Sequence, residues 1–347
     1  MGHSPHLERA YELARQHNPH PNPRVGAVLV DADGVFLAEA FHLGPGEPHA
    51  EVVALGQVSN AAGATLYVSL EPCSHYGRTP PCTDRLIDAG LAAVVVGARD
   101  PDPRVAGAGI QALESAGIEV TVLDDPAARV LDRAYFHHRE TGFPWVTAKY
   151  AMTLDGSVAA SDGSSKWITR EKAREDAHRL RSEHDAVVIG AGTLLSDDPN
   201  LDVRLSGFDG PQPRPVIIAG RTPLPWDSRI WKRDPLVVAA VDSDFPGGEL
   251  IIVEGDDYPD PVSTCRALGA AGYLSLLVEG GPTLLGSWWS HGVISGGVVY
   301  VGNRMGGGPG MPPLFGVFES IGDATSVVIT DTRMVGEDVR IDFHREI

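Results

Sequence analysis

Short β-branched, apolar runs alternate with stretches of helical periodicity along almost the whole chain. This alternation limits the fold more than any other feature. In the first part, VGAVLV (25–30) and VFLAEA (35–40) read as strands joined by the turn Asp31-Ala32-Asp33-Gly34. TLYVSL (65–70), AAVVVGA (92–98) and EVTVL (119–123) follow. Helical segments separate them, from about 50, from about 83, at 106–117 and at 126–139. Ser4-Pro5 marks an opening helix, an N-cap followed by Pro at the first helical position, with Leu7, Ala10, Tyr11 and Ala14 on one face. Such alternation implies an α/β layer sandwich on a largely parallel sheet.

Glu140-Thr141-Gly142-Phe143-Pro144 stops the last of these helices, and a domain boundary is expected there, giving domains 1–143 and 144–347. The length of 347 residues agrees with about two domains of ~150 residues. The second series predicts strands at 145–152, 185–192, 215–220, 236–241, 249–255, 274–281 and 296–302, and two more near 326–344. Helices are expected at 170–183, at 262–271 and from about 282. The stretch 202–214 reads as a loop, and GNRMGGGPGMPP (302–313) is unusually rich in Gly.

Charge removes one class of function. The net charge is −18, and neither half carries a surplus of Lys and Arg, so phosphate-driven binding to long nucleic acid is disfavoured. No run of about 18 apolar residues is present, the opening MGHSPHLERAYELARQ does not read as a signal peptide, and three Cys do not make a disulfide framework. A cytoplasmic protein is expected.

Three segments carry chemistry in the first half: PHAE (48–51), EPC (71–73) and PPC (80–82). His49, Cys73 and Cys82 offer one imidazole and two thiolates, a donor set suited to one Zn²⁺ with a fourth position left for water. Glu51 follows His49 by two residues, which do not share a helix face, so both reach one pocket if His49 sits at the helix start. Zinc lowers the pKa of its water towards about 7, and a Glu that is not a ligand can carry the proton to leaving ammonia. The generic zinc-deaminase pattern has its two Cys three residues apart, whereas here they are nine apart. His75 as a fourth ligand would instead make a closed structural site.

HPNPRVGAVLV (20–30), GEPHAEVVAL (46–55), LEPCSHYGRTPPC (70–82) and DPDPRVAGAGI (100–110) together resemble the amino-terminal half of the bifunctional deaminase/reductases of riboflavin biosynthesis. In that family the long Cys–Cys spacing is the normal one. The resemblance implies a cytidine-deaminase-like three-layer domain with zinc on His49, Cys73 and Cys82 and a proton-shuttling Glu51. It also implies that Asn22 and the segment 75–79 hold an aminopyrimidine and its ribose phosphate, with Arg78 as a phosphate contact.

GFPWVTAKYAMTLDGSVAASDGSSKWIT (142–169), AVVIGAGTLLSDDPNLDVR (186–204) and LLVEGGPTLLGSWW (276–289) resemble the reductase half of the same family, an α/β domain like dihydrofolate reductase. The resemblance places NADPH near Ala151, Trp167, Thr193, Asp197, Gly281, Pro282 and Thr283. It places the ribosyl-phosphate substrate near Ser165, Arg181, Leu201, Arg204 and Glu279. The residues themselves support part of this. Two Gly-containing turns after strands, at 190–193 and 278–283, suit phosphate binding at helix N-termini, although no GxGxxG fingerprint is present. Guanidinium forks such as Arg181 and Arg204 bind phosphate oxygens bidentately. Arg221-Thr222 after strand 215–220 is a candidate for the 2′-phosphate of the cofactor. Asp155 is expected to cap a turn, and Cys265 to be a small buried hydrophobe.

The activity implied is hydrolytic deamination of 2,5-diamino-6-ribosylamino-4(3H)-pyrimidinone 5′-phosphate, followed by NADPH-dependent reduction of the ribosyl group to ribityl. Small-molecule substrates, no nucleic acid, no membrane and a homo-oligomer are expected. Two other readings are a nucleic-acid base deaminase with an appended domain and a zinc- and nucleotide-binding module without turnover.

Overall fold

Ser4 precedes the first helix, α1 (Pro5–Ala14), in a computed structural model that describes residues 4–77, 79–241, 244–316 and 319–346. The Ser4 hydroxyl makes no capping bond; its carbonyl accepts from Leu7 and Glu8. Leu7, Ala10, Tyr11 and Ala14 are all buried, as their spacing predicts. The chain divides into two units, one ending at Gly142 and the other beginning at Phe143.

In the first unit α1 is followed by β1 (Gly26–Val30), β2 (Phe36–Phe41), α2 (Ala50–Leu55), β3 (Thr65–Leu70) and α3 (Cys82–Asp88). Then come β4 (Ala93–Ala98), α4 (Ala108–Ser115), β5 (Glu119–Val122), α5 (Pro126–Leu131) and α6 (Arg133–Thr141). The sheet order is β2-β1-β3-β4-β5. Only β3, β4 and β5 run parallel; β1 is antiparallel to β2, into which a tight turn returns it, and antiparallel also to β3. The Asp31 carboxylate closes that turn by accepting from the backbone of Asp33 and Val35. Helices α1 and α5 pack together on one face, and α2, α3 and α4 follow one another on the other, making three layers. The helix expected at 126–139 is broken at Asp132 (φ −134°, ψ 56°). Its buried carboxylate accepts from the backbone N–H of Arg24 at 2.7 Å, contacts His20 at 3.1 Å and caps α6.

The second unit holds β6 (Trp145–Met152), α7 (Glu171–Ser182), β7 (Ala186–Gly190), α8 (Ala191–Asp197), β8 (Arg214–Ile218), a 3-10 turn (Arg229–Arg233), β9 (Leu236–Ala239) and β10 (Glu249–Ile252). It continues with α9 (Pro261–Ala270), β11 (Ser275–Val278), α10 (Pro282–Ser290), β12 (Gly296–Val301), β13 (Val327–Val335) and β14 (Asp338–Arg345). Its sheet order is β10-β9-β8-β7-β11-β6-β12-β14-β13, parallel from β10 through β12 and antiparallel for the last two strands. Alternate residues of the parallel strands enter two separate cores. Val188, Val216 and Val278 pack with Cys265, Leu285 and Trp288 of α9 and α10, while Val187, Ile217 and Leu277 pack with Ala173, Leu180 and Leu194 of α7 and α8. Because β11 inserts between β6 and β7, the chain reverses its direction of travel there, and ligands of parallel sheets bind at such a point, outside the carboxyl ends of the strands.

Candidate active sites

In the first unit, His49 is the N-cap of α2 with extended backbone (φ −70°, ψ 160°), so it lies just outside the helix while Glu51 lies in its first turn. That placement lets residues two apart face one pocket. Strand β3 delivers Cys73 through Glu71-Pro72, and Cys82 opens α3. The ligand atoms of His49, Cys73 and Cys82 all lie within 4.8 Å of one another. His49 Nδ1 is 3.1 Å from Cys82 Sγ and 3.5 Å from Cys73 Sγ. Hydrogen bonding from Cys82 pulls the Cys73 thiol well below its ordinary range, and Cys82, as the paired donor, is pushed up. His75 is not one of this group; its Nδ1 is buried with no protein partner.

Glu51 is 3% exposed, and its Oε2 has no hydrogen-bond partner. Burial pushes its carboxyl up, against the pull of His49. A buried, unpartnered carboxylate oxygen is costly unless something absent from the protein itself faces it. One imidazole, two thiolates and this oxygen therefore fit zinc with its water.

Glu51, Cys73, Asn22, His75 and Thr79 share a cleft of about 370 Å³ with Asp100, Asp102, Arg104, Tyr135 and Arg139. The Asn22 amide is 2.9 Å from His42 Nε2. Arg78 lies outside the described residues. The sequence reading quoted DPDPRVAGAGI and gave it no role. In the structure it forms a wall of the cleft, tied down by Glu71, whose carboxylate accepts from the backbone of Asp100, Gly107, Gly109 and Ile110. Burial pushes Asp100 up to about 6, with the Tyr135 hydroxyl donating to it at 3.0 Å, and hydrogen bonds from Arg104 hold Asp102 at about 2. Acidic residues flanking Pro in a loop were the available signal.

In the second unit, α8 and α10 start at the ends of the adjacent strands β7 and β11. The segment at 190–193, read as a turn, continues as the helix α8. A Cβ placed on Gly281 would lie 3.8 Å from Thr193 Oγ1, and one on Gly192 would meet open space. Thr193 and the 281–283 turn are thus brought together, at two helix N-termini whose backbone an anion can approach. Ala151 lies near the end of β6, next to β11. Asp197, at the end of α8, pairs with Lys166 at 2.9 Å. Trp167 is 59% exposed, with the Arg174 guanidinium 4.6 Å from its ring centroid. Paired N-termini at the switch point fit a dinucleotide phosphate.

The residues read as substrate contacts separate into two places. Arg181 is not an open fork: its Nε and Nη2 donate to Glu279 at 2.6 and 3.0 Å, and its Nη1 donates to the Asp202 carbonyl. Lys149 Nζ is 3.5 Å from the same carboxylate, a partner the sequence reading missed; a Lys inside an otherwise uncharged strand was its signal. Arg204 is exposed and held by Asp202 at 2.6 Å. Leu201 is buried in the core with a left-handed φ of 53°. Ser165 lies elsewhere, lining a cleft of about 420 Å³ with Trp167, Lys166 and Arg304. Arg221, at the end of β8, pairs with Asp257. Cys265 is buried, as expected.

Residues 2–98 match the family described as the cytidine and deoxycytidylate deaminase zinc-binding region, and residues 144–340 match the RibD C-terminal domain. The riboflavin biosynthesis protein RibD of Chlamydia muridarum is 39% identical over 337 residues, covering 93% of this chain and 91% of that protein. Acinetobacter baumannii RibD superposes with a TM-score of 0.91 at 34% identity over 99% of this chain and 98% of that one. A diaminohydroxyphosphoribosylaminopyrimidine deaminase/5-amino-6-(5-phosphoribosylamino)uracil reductase from Thermotoga maritima gives 0.89 at 32% identity, over 98% and 97%. The chain therefore belongs to the RibD family of bifunctional deaminase/reductases of riboflavin biosynthesis, with zinc as the cofactor of its amino-terminal half and NADPH as that of its carboxy-terminal half.

Proposed function

We propose that domain 1–143 hydrolytically deaminates 2,5-diamino-6-ribosylamino-4(3H)-pyrimidinone 5′-phosphate, and that domain 144–347 reduces the ribosyl group of the product to ribityl with NADPH. The observation that carries this reading is the unpartnered Glu51 oxygen beside His49, Cys73 and Cys82. Those three residues hold zinc, which when bound lowers the pKa of its water towards neutrality. Glu51 is the catalytic residue: its Oε2 takes a proton from water and returns it to the leaving ammonia. Its burial supports the role, since a raised carboxyl holds a proton more readily near neutral pH. Asn22 orients the pyrimidine.

Ala151, Trp167, Thr193, Asp197, Gly281, Pro282 and Thr283 bind NADPH, and Ser165, Arg181, Leu201, Arg204 and Glu279 bind the substrate. Lys149 and Arg181 share the single carboxylate of Glu279, so this cluster carries a net positive charge toward a phosphate. Hydride goes to C1′; the protein orients the two partners and excludes water. A cytoplasmic homo-oligomer acting on small molecules is our reading of the whole. No helix among the described residues is long and apolar enough to cross a membrane. The edge strand β13 exposes Val327, Val328 and Ile329, the kind of edge that pairs with another copy.

The test supplies the diaminopyrimidine phosphate with and without NADPH. Ammonia is expected in both cases and NADPH oxidation only in the first. Oxidation with no ammonia, or neither, contradicts the reading.

A further inference from the structure

The Gly-rich segment 302–313 has no part in the chemistry above; Asn303 at its start bonds to Arg170, Glu337 and Asp338, and beyond it the segment clasps the loop 153–168 that follows β6. The Leu154 N–H donates to the Arg304 carbonyl at 2.7 Å. The Asp155 carboxylate then accepts from the backbone N–H of Gly306 at 3.1 Å and of Gly307 at 2.8 Å, and from the Thr153 hydroxyl at 2.5 Å. Further along, Val158 donates to the Met311 carbonyl and Met311 to the Ala159 carbonyl, each at 2.9 Å, an isolated antiparallel bridge. Asp155 thus caps a distant loop as well as its own turn.

The close approach requires Gly at position 310. A Cβ on Gly310 would lie 2.3 Å from Ser157 Oγ and 2.8 Å from the Ala159 carbonyl. Between the clasped loops lies the 420 Å³ cleft, with Ser165 and Trp167 from one loop and Arg304 from the other on its walls. No α-helix or strand crosses either loop to hold it from within.

We propose that Asp155 is a positioning residue of the reductase site, tying the loop that carries Ser165 and Trp167 to the Gly-rich loop after β12. This rests on the reading that Ser165 and Trp167 face the substrate and NADPH. Charged acceptors of backbone N–H groups make strong hydrogen bonds, and small displacements of positioning groups cost large factors in rate.

The test uses the full-length protein, the deaminated ribosylaminouracil phosphate and NADPH. Asp155→Ala is expected to lower kcat/KM for NADPH oxidation by about 10- to 100-fold. KM rises and kcat falls together, whereas a mere loss of folded enzyme lowers kcat alone. Hydrogen exchange accelerates in 153–168 and 302–313 and nowhere else, and ammonia release from the diamino substrate is unchanged. Asp155→Asn, which keeps one acceptor oxygen, is expected to lie between. Gly310→Ala leaves Asp155 intact, separates the loops by its clash, and reproduces the defect if Asp155→Ala fails to fold. Wild-type kinetics in Asp155→Ala, or lost activity without faster exchange in the two loops, overturns the proposal. If the loops loosen while kinetics hold, the proposal also falls, and Ser165→Ala with Trp167→Ala then locates the fault. No effect of those two variants shows that the cleft is not the reductase site, and a large effect shows that Asp155 does not position them.

Discussion

Glu51 is buried and the Glu279 side chain is 10% exposed, and their surroundings give the two carboxylates opposite chemistry. Glu51 has no cation bonded to it, and burial raises it. Glu51→Gln is expected to keep a full complement of zinc, read by metal analysis, while ammonia release falls at least ~100-fold. Loss of the metal would instead make Glu51 a ligand. For Glu279, burial alone would raise the carboxyl, but Arg181 and Lys149 outweigh it and hold it well below the usual carboxylate range. Its folded pKa lies below the unfolded one, so its contribution to stability is present above the unfolded value, ~4.3, and is lost as pH falls from there towards the folded value. Glu279→Gln leaves two cations, with side chains 13% and 20% exposed, without their counter-charge, which costs about 2–3 kcal/mol at neutral pH, below the value for a fully buried pair. All six Trp lie after residue 143, so fluorescence follows unfolding of this half alone. The gap between wild type and variant should narrow as the solution is acidified below about pH 4; a constant gap contradicts the assignment. The zinc donors and Glu51 were legible because they cluster in three short motifs. The Arg181–Glu279 pair was not, because its members lie 98 residues apart and meet only when β11 inserts beside β7.

At the scale of elements, the legible parts were those with local causes: the opening helix, the strands, and the loop at 202–214. Asp132 shows what was not. Periodicity runs unbroken through 126–139, and the break comes from partners at His20 and Arg24, more than a hundred residues earlier. The antiparallel β1 was similarly hidden, since the turn at Asp31 predicts a hairpin but not which neighbour lies on its other side. The helix α4 gives the clearest test. Its first N–H groups are satisfied by Glu71, and a Cβ on Gly109 would fall 2.0 Å from the Pro72 carbonyl. Gly109→Ala therefore pushes the segment bearing Cys73 away from α4. Ammonia release is expected to fall about 10-fold or more, as displaced positioning groups do, with NADPH oxidation untouched. Undiminished deamination in a folded Gly109→Ala protein would show that this packing does not set the zinc site.

For the whole molecule, the central claim is that two chemistries occupy one chain and divide near residue 144. Every proposed zinc ligand precedes Gly142 and every proposed NADPH or reductase-substrate residue follows Phe143, the point along the chain at which one unit ends and the other begins. Each unit has its own sheet and buried core. On the proposed reading zinc serves the hydrolysis and has no part in hydride delivery. The most direct measurement treats the protein with a strong chelator, alongside Cys82→Ala, and follows both reactions while Trp fluorescence monitors the fold of the second half. Ammonia release from the diamino substrate should vanish, and NADPH oxidation with the already deaminated ribosylaminouracil phosphate should continue at a near-normal rate. A chelated protein whose second half stays folded yet no longer reduces the deaminated substrate would contradict the division.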